Sequence, residues 1–491
     1  MRKLLLGSLL GLTLALPLSH LVLARTVQPL RVPLPPPGGV RTLEVQPVVV
    51  QPLQPVQSPV SSTQGTARGC RDGGPFNINR AKPQWVSVRP DDAPQMAEGL
   101  VTASHVTHAD NPANHTSHDW NFDVQLDPAY QFLHSDANPV ENGQRQMEME
   151  WETRFFPPQF LPVQGDRAWL LGRWIFDCGH PPYRTEIHPP KAVAFTRLEP
   201  TLFPGASMPA YTNRAYVYVH GRAGYYKSPV AVQNYEFDVP LPPRPFADSP
   251  LRNNRLRAEV LDLPFGGPRP ILTPQPANNP TRVHVVYPLN LGNSDPNLRY
   301  GAVLAVGWQE TSIAAQPLNP GPTRFRQLRV TFDSVRINED HDTAFSGEWN
   351  LWVRAGGTWF QVSGLGDVDN GQTVQINKTL TMIVPENGSW SVQTTGWEDD
   401  CDGRFADSDT EAERGDLSLA DLTCEVNGNQ NIGIVSNIAT PYTAADNFGV
   451  GQHNSPSRRN GDADTLQDFH LRFHVEELAR FPKPGSGPVF Q

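Results

Sequence analysis

Residues 165–193 read GDRAWLLGRWIFDCGHPPYRTEIHPPKAV, two apolar or alternating runs joined by a turn that contains Pro181 and Pro182. Short runs of this kind, bounded by Pro, Gly, Asn and Asp, are typical of β-strands. The same pattern recurs along the chain, at residues 122–126, 147–155, 168–176, 192–196, 215–220, 235–241, 256–263, 282–289, 301–308, 325–335, 349–353, 373–384, 390–397 and 469–475. Many short strands joined by turns predict an all-β protein built from barrels or sandwiches.

The composition supports this interpretation. The 491 residues include 50 prolines, about twice the average share, and proline breaks helices because it removes a backbone donor and clashes with the preceding turn. Only two short helices are predicted, at residues 411–422 and 476–480. The net charge of −10, from 40 basic and 50 acidic residues, argues against a broad attraction to nucleic acid or to anionic lipid.

The N-terminus has the pattern of an export signal. Arg2 and Lys3 precede an apolar run at residues 4–18, and Val22-Leu23-Ala24 offers a cleavage site after Ala24. A retained membrane anchor is the alternative, but the run is shorter than the roughly 20 residues that a membrane span requires. The sequence therefore predicts a signal peptide at 1–24 and a protein that is secreted or held in the cell envelope, without a transmembrane span.

Residues 25–69 carry a proline every few positions, and the first aromatic residue of the chain is Phe76. Such a segment buries too little apolar surface to offset its ordering entropy, so we expect a disordered, extended spacer.

The chain contains four cysteines, and an even number in an exported protein favours disulfides. Cys401 and Cys424 lie in one acidic region and are expected to pair, which leaves Cys70 for Cys178. The alternative is that the segment Cys178-Gly179-His180 supplies metal ligands.

A set of polar residues lies in and near residues 165–193. Glu186 and His188 are two residues apart and share one face of a strand, while the turn before them carries further polar groups. The candidate site residues are His118, Asp119, Asp177, His180, Glu186 and His188. Imidazole and carboxylate together suit a divalent transition metal such as Zn, Mn or Fe. The alternative is a hydrogen-bonded network whose role is purely structural, namely to stabilise the hairpin.

Two acidic loops follow strands in the C-terminal third, within residues 329–342 and 396–416. Crowded carboxylates repel one another, and a hard cation such as calcium relieves this with oxygen ligands. The candidate calcium ligands are Asp340, Asp342, Asp399, Asp400, Asp402, Asp407 and Asp409. A solvated acidic loop is the alternative.

Two resemblances rest on these motifs. The segments HDWNF (118–122), WIFDCGH (174–180) and TEIHPP (185–190) resemble a group of secreted bacterial proteins without a characterised activity, over roughly residues 100–198. A shorter form of this pattern recurs in small β-barrel proteins. This resemblance implies a small barrel, and the barrel type that we consider is the OB type. Residues 323–480 resemble C2 domains, which implies calcium between acidic loops at one end of a β-sandwich.

We therefore expect a signal peptide (1–24), a spacer (25–69), a small barrel-like domain (70–198), a β-sandwich (199–318) and a C2-like β-sandwich (323–480). The leading functional hypothesis is an exported binding protein, stabilised by calcium, whose partner is a cell-surface polymer, a lipid or a protein lattice. The alternatives are a secreted metal-dependent hydrolase that uses the His/Asp/Glu set and, more weakly, nucleic-acid binding through the barrel, which the acidic charge opposes.

Overall fold

The computed structural model describes residues 60–70, 85–91, 93–107, 119–153, 155–178, 182–220, 234–245, 248, 252–289, 299–312, 324–341, 346–398, 430–431, 433–435, 440–458 and 467–482. All of them belong to one compact unit, Pro55–Gln491. The predicted signal peptide lies outside the described residues. The end of the predicted spacer is folded, because Val60 bridges Ser135 and a helix follows at Thr63–Arg68.

Strands dominate the described residues. They are β1 (Trp85–Ser87), β2 (Gln95–Val106), β3 (Asp119–Leu126), β4 (Val140–Glu141), β5 (Gln144–Arg145), β6 (Met147–Glu152), β7 (Arg167–Asp177), β8 (Thr185–Thr201), β9 (Ala210–His220), β10 (Asn234–Pro240), β11 (Arg252–Asp262), β12 (Ile271–Gln275), β13 (Arg282–Pro288), β14 (Arg299–Ser312), β15 (Phe325–Ile337), β16 (Trp349–Ala355), β17 (Thr358–Gln361), β18 (Thr373–Pro385), β19 (Ser389–Trp390), β20 (Val392–Glu398), β21 (Gln430–Asn431), β22 (Tyr442–Thr443), β23 (Gly451–Pro456) and β24 (Phe469–Phe481). The helices are α1 (Thr63–Arg68) and the 3-10 helices Pro128–Leu133, Pro158–Phe160 and Ala444–Gly449.

Five strands close into a barrel. The order is β2–β3–β6–β8–β7, and β7 pairs again with β2. Every contact around the ring is antiparallel except that between β6 and β8, which is parallel. Numbered along the chain, the five strands follow the order 1-2-3-5-4-1, the Greek-key arrangement of an OB-type barrel. The predicted barrel is confirmed.

The barrel sheet continues beyond the barrel. Strands β9, β14 and β11 add to the edge of β8, and a separate sheet of β10, β13 and β12 packs on this extension. Side chains from the two sheets, such as Val217 and Val285, share a core. This pair of layers is the first sandwich. Its sheet is continuous with the barrel, so residues 198 and 199 both lie inside β8.

The C-terminal region is a second sandwich. One sheet has the order β18–β15–β24–β23 and the other β17–β16–β20–β21, and their facing side chains form a separate core. Two four-stranded sheets agree with the C2-like prediction, so the fold class is confirmed.

The helix predicted at residues 476–480 is wrong. These residues continue β24, where Glu476 pairs with Arg329 and Arg480 with Arg326 on β15. The run EELAR has a local helical preference, but the ladder with β15 overrides it, because Val475 and Phe481 are both buried along the same strand. The helix predicted at residues 411–422 lies outside the described residues.

The second sandwich is packed into the barrel through tryptophans. Trp352 and Trp359 belong to the barrel core although they lie on β16 and β17, and the ring of Trp359 is 5.0 Å from that of Trp120. The indole of Trp359 also donates to the Pro162 carbonyl at 3.1 Å. The barrel core is therefore completed by residues of the C-terminal sandwich.

Candidate metal centre

The candidate centre lies on the outer face of the barrel, where three neighbouring strands present polar side chains. On β3 and β6 every second residue points into the barrel core, namely Trp120, Phe122, Val124, Met147, Met149 and Trp151. The intervening residues therefore point outward. In the register of β3 with β6, Asp119 lies opposite Glu152. Asn121 lies opposite Glu150, and Asp123 lies opposite Glu148. On β8, Glu186 lies beside Glu148, and His188 follows on the same face.

Three of these residues form the first group. Asp119, Glu150 and His188 each offer one ligand atom, and these atoms lie within 4.8 Å of one another. The imidazole Nδ1 of His188 is 2.7 Å from Glu150 Oε2. All three residues are buried, at 0%, 6% and 1% exposure respectively. One imidazole and two carboxylates from three different strands can thus reach a single ion.

Neighbouring groups hold this geometry. The amide Nδ2 of Asn121 donates to Glu150 Oε1 at 2.8 Å and to Glu148 Oε1 at 2.7 Å. The ring of Trp85 lies 5.0 Å from the His188 imidazole. On the neighbouring strand a Cβ at Gly172 would meet Ile187 Cγ2 at 2.4 Å and Pro190 Cα at 2.8 Å. Only glycine lets β7 approach β8 this closely, next to His188.

A second group shares Glu150 with the first. Ligand atoms of Glu148, Glu150 and Glu186 also lie within 4.8 Å of one another. Arg184 is placed against this group, with Nη1 2.7 Å from Glu148 Oε2 and Nε 2.9 Å from Glu186 Oε1. The same Nε is 3.5 Å from Asp177 Oδ2.

The electrostatics of the face favour a cation. Burial raises the pKa of Glu150 well above its usual range, and the neighbouring Glu148 adds to the shift. Burial also raises the pKa of Glu186, with Glu150 as the next cause, and it raises the pKa of Asp123 to about 7. Burial lowers the pKa of Arg184, but the surrounding carboxylates outweigh it, so that pKa is raised and the guanidinium stays charged. A proton or a metal ion would stabilise these crowded carboxylates.

The structure brings together four of the six residues proposed from the sequence. Asp119, Glu186 and His188 lie on the outer face, and Asp177 approaches it through Arg184. His118 and His180 lie outside the described residues. Sequence reasoning missed Glu148, Glu150, Asn121 and Arg184. The segment MEMEWE (Met147–Glu152) carried the signal, because its glutamates alternate with core residues.

Of the candidate calcium ligands, the structure describes Asp340 alone. Its Oδ2 accepts from the Asn370 backbone at 3.0 Å, its own backbone N–H donates to Asn370 Oδ1 at 2.9 Å, and Trp349 donates to its carbonyl at 3.1 Å. Asp342, Asp399, Asp400, Asp402, Asp407 and Asp409 lie outside the described residues.

The strands that lead into the two acidic loops end on the same side of the sandwich. Trp349, which bonds Asp340, is in register with Glu398 at the end of β20. Asp340, which follows β15, and Glu398, which ends β20, therefore lie at one end of the sandwich.

One disulfide joins Cys70 to Cys178, directly after Asp177. It ties the segment after α1 to the end of β7. Cys401 and Cys424 lie outside the described residues. Within the described part of the chain no helix combines the length and the apolar character of a membrane span.

Comparisons with known proteins return weak structural likeness. The tandem C2 domains of extended-synaptotagmin 2 align with 34% of this chain and 45% of theirs, at 15% identity and a TM-score of 0.20. The calcium-bound form of those domains aligns with 33% of this chain and 47% of theirs, at 11% identity and a TM-score of 0.20. Human GIVD cytosolic phospholipase A2 aligns with 32% of this chain and 17% of that one, at 12% identity and a TM-score of 0.20.

The chain thus spans less than half the length of these structures. No family model and no curated protein matches the sequence. The fold assignment therefore rests on the strand topology described above.

Proposed function

We propose that this is an exported binding protein whose barrel holds a divalent metal ion at Asp119, Glu150 and His188. The observation that supports the proposal is the first group itself: three ligand atoms from three strands, within 4.8 Å and buried. Export is supported by the basic and apolar N-terminal pattern of the sequence.

The ligand types indicate which metals suit the site. Imidazole suits Zn and Fe, and carboxylate suits Mn, whereas calcium prefers six to eight oxygen ligands. Two carboxylates balance the charge of a divalent ion.

The metal content of the purified full chain tests the proposal. Metal-free protein, titrated separately with Zn²⁺, Mn²⁺ and Ca²⁺, should bind one transition-metal ion with higher affinity than calcium. Asp119→Asn, Glu150→Gln and His188→Gln should each weaken that binding at least tenfold.

His284→Gln serves as the matched control, because His284 and Asp238 form another histidine–carboxylate pair, at 2.9 Å, away from the barrel. That variant should keep the affinity of the unchanged protein. A folded wild type that takes up neither Zn²⁺ nor Mn²⁺ would leave the structural network as the explanation of the cluster.

The number of ligands separates a binding role from the alternative of a hydrolase. Catalytic zinc sites have three protein ligands and an open position for water, whereas structural sites are closed by four. His118→Ala and His180→Ala decide between them. If either change lowers the affinity for the metal ion, the site is closed and structural. If neither change lowers it, the metal-dependent hydrolase becomes the better hypothesis.

Calcium at the C-terminal sandwich is the second candidate. It is supported by the positions of Asp340 and Glu398, which precede the two acidic stretches of the sequence and lie at one end of the sandwich. A cell-surface polymer, a lipid or a protein lattice is the proposed partner class, and a calcium-dependent change in binding to such a surface would support this role.

A further inference from the structure

The two overlapping groups on the barrel face differ in one respect. The second group contains a fixed cation, since Arg184 is at ion-pair distance from Glu148 and Glu186. In the first group the side chain beside Glu150 is instead the His188 imidazole, which can ligate a metal ion whereas a guanidinium cannot. The face therefore offers two neighbouring cation positions that share Glu150.

The two oxygens of Glu150 point toward different partners. Oε2 contacts His188 at 2.7 Å, and Oε1 accepts from Asn121, which also binds Glu148. A carboxylate with this placement can bridge two ions, as in sites where two metals lie about 3.5–4 Å apart. Without Arg184, the second group would offer three carboxylates to a second ion.

We propose that Arg184 occupies the second cation position and thereby keeps the barrel site mononuclear. This inference rests on the proposed metal site. The guanidinium is permanently charged and cannot act as a metal ligand, so it neutralises the second group and repels another cation. Arg184 is thus a residue that sets the metal stoichiometry.

Mn²⁺ binding to the full chain tests this inference, with calorimetry for the stoichiometry and electron paramagnetic resonance for coupling between ions. The wild type should bind one Mn²⁺ and give an uncoupled spectrum. Arg184→Gln should bind two and give a spin-coupled spectrum, because the ions share Glu150. Arg184→Lys retains the charge and should still bind one.

Arg167→Gln is the matched control. Arg167 also forms ion pairs on the barrel, with the two carboxylates of Asp127 and Glu98. These two carboxylates are more exposed than the three that surround Arg184. This variant should bind one Mn²⁺. The spectrum reports the distance between ions, so a loss of packing alone cannot produce the expected result.

The outcomes separate the two proposals. A folded wild type that binds no Mn²⁺ and no Zn²⁺ refutes the metal site itself. One ion in the wild type and one in a folded Arg184→Gln variant refutes the role of Arg184.

If Arg184→Gln does not fold, Glu148→Gln decides. Glu148 belongs to the second group alone, so the variant should still bind one Mn²⁺ within threefold of the wild-type affinity. Loss of that ion would overturn the division into two positions.

Discussion

At the scale of single residues, His134 couples the barrel to pH. It is buried after the helix Pro128–Leu133, and burial, assisted by the charge of Arg145, lowers its pKa from 6.5 to about 4. The folded protein therefore binds fewer protons than the unfolded chain between these values. Stability from this residue is present above pH 6.5 and is lost as the pH falls toward 4.

Replacing His134 should remove this dependence. Between pH 6.5 and 4, we expect the free energy of unfolding of the wild type to fall relative to that of His134→Gln, by at most about 1.4 kcal/mol per pH unit. Urea denaturation of both proteins at several pH values measures the difference. Buried carboxylates act equally on both proteins, so parallel curves would contradict the prediction.

Gly172 is the residue on which the approach of β7 to β8 depends. A methyl group there would collide with Ile187 and Pro190, so Gly172→Ala should lower the free energy of unfolding by about 1–3 kcal/mol. It should also weaken metal binding, because the displaced segment carries His188. Gly366→Ala is the control, since nothing lies within 4 Å of its Cβ position. Equal melting temperatures for the two variants would refute the packing argument.

At the scale of elements, the disulfide between Cys70 and Cys178 closes a long loop. Their separation of 108 residues corresponds to a stabilisation of about 4–5 kcal/mol in the chain-entropy model. Cys70→Ser with Cys178→Ser should lose most of this stability in chemical denaturation. A loss below about 1 kcal/mol would show that α1 and β1 are held by packing alone.

The strands themselves could be predicted from the sequence, because alternation and turn residues are local signals. The runs at residues 168–176 and 282–289 lie within one residue of the observed β7 and β13 at both ends. The C-terminal end of β24, residues 476–480, could not be predicted as a strand, because only its pairing with β15 overrides the helical preference of EELAR.

The candidate centre could likewise be predicted from the sequence only in part, because strand pairing determines the rest. Glu186 and His188 could be predicted to share a face from their spacing alone. That Glu150 lies between them and Asp119 depends on the parallel pairing of β6 with β8. Strand partners of this kind are set by tertiary packing, so the alternation in MEMEWE can indicate that its glutamates share one face but not which residues they face.

At the scale of the whole molecule, calcium is predicted to stabilise the C-terminal sandwich. A ligand that binds only the folded state adds about 2.7 kcal/mol at a hundredfold excess over Kd, so calcium should raise the melting temperature. Asp399→Asn with Asp402→Asn should reduce this shift. Asp333→Asn should not, because Asp333 pairs with His474 at 3.0 Å along the sandwich strands. Identical melting curves with calcium and with chelator would refute the calcium site.

The tryptophans that the C-terminal sandwich contributes to the barrel affect the order in which the chain can fold. Trp352 and Trp359 follow the last barrel strand, which ends at Thr201, by about 150 residues. A chain that emerges from its N-terminus first therefore exposes Trp120 and its neighbours until those later residues arrive. The newly made barrel would be a substrate for holding chaperones, and a protein shortened before residue 352 would keep that need permanently.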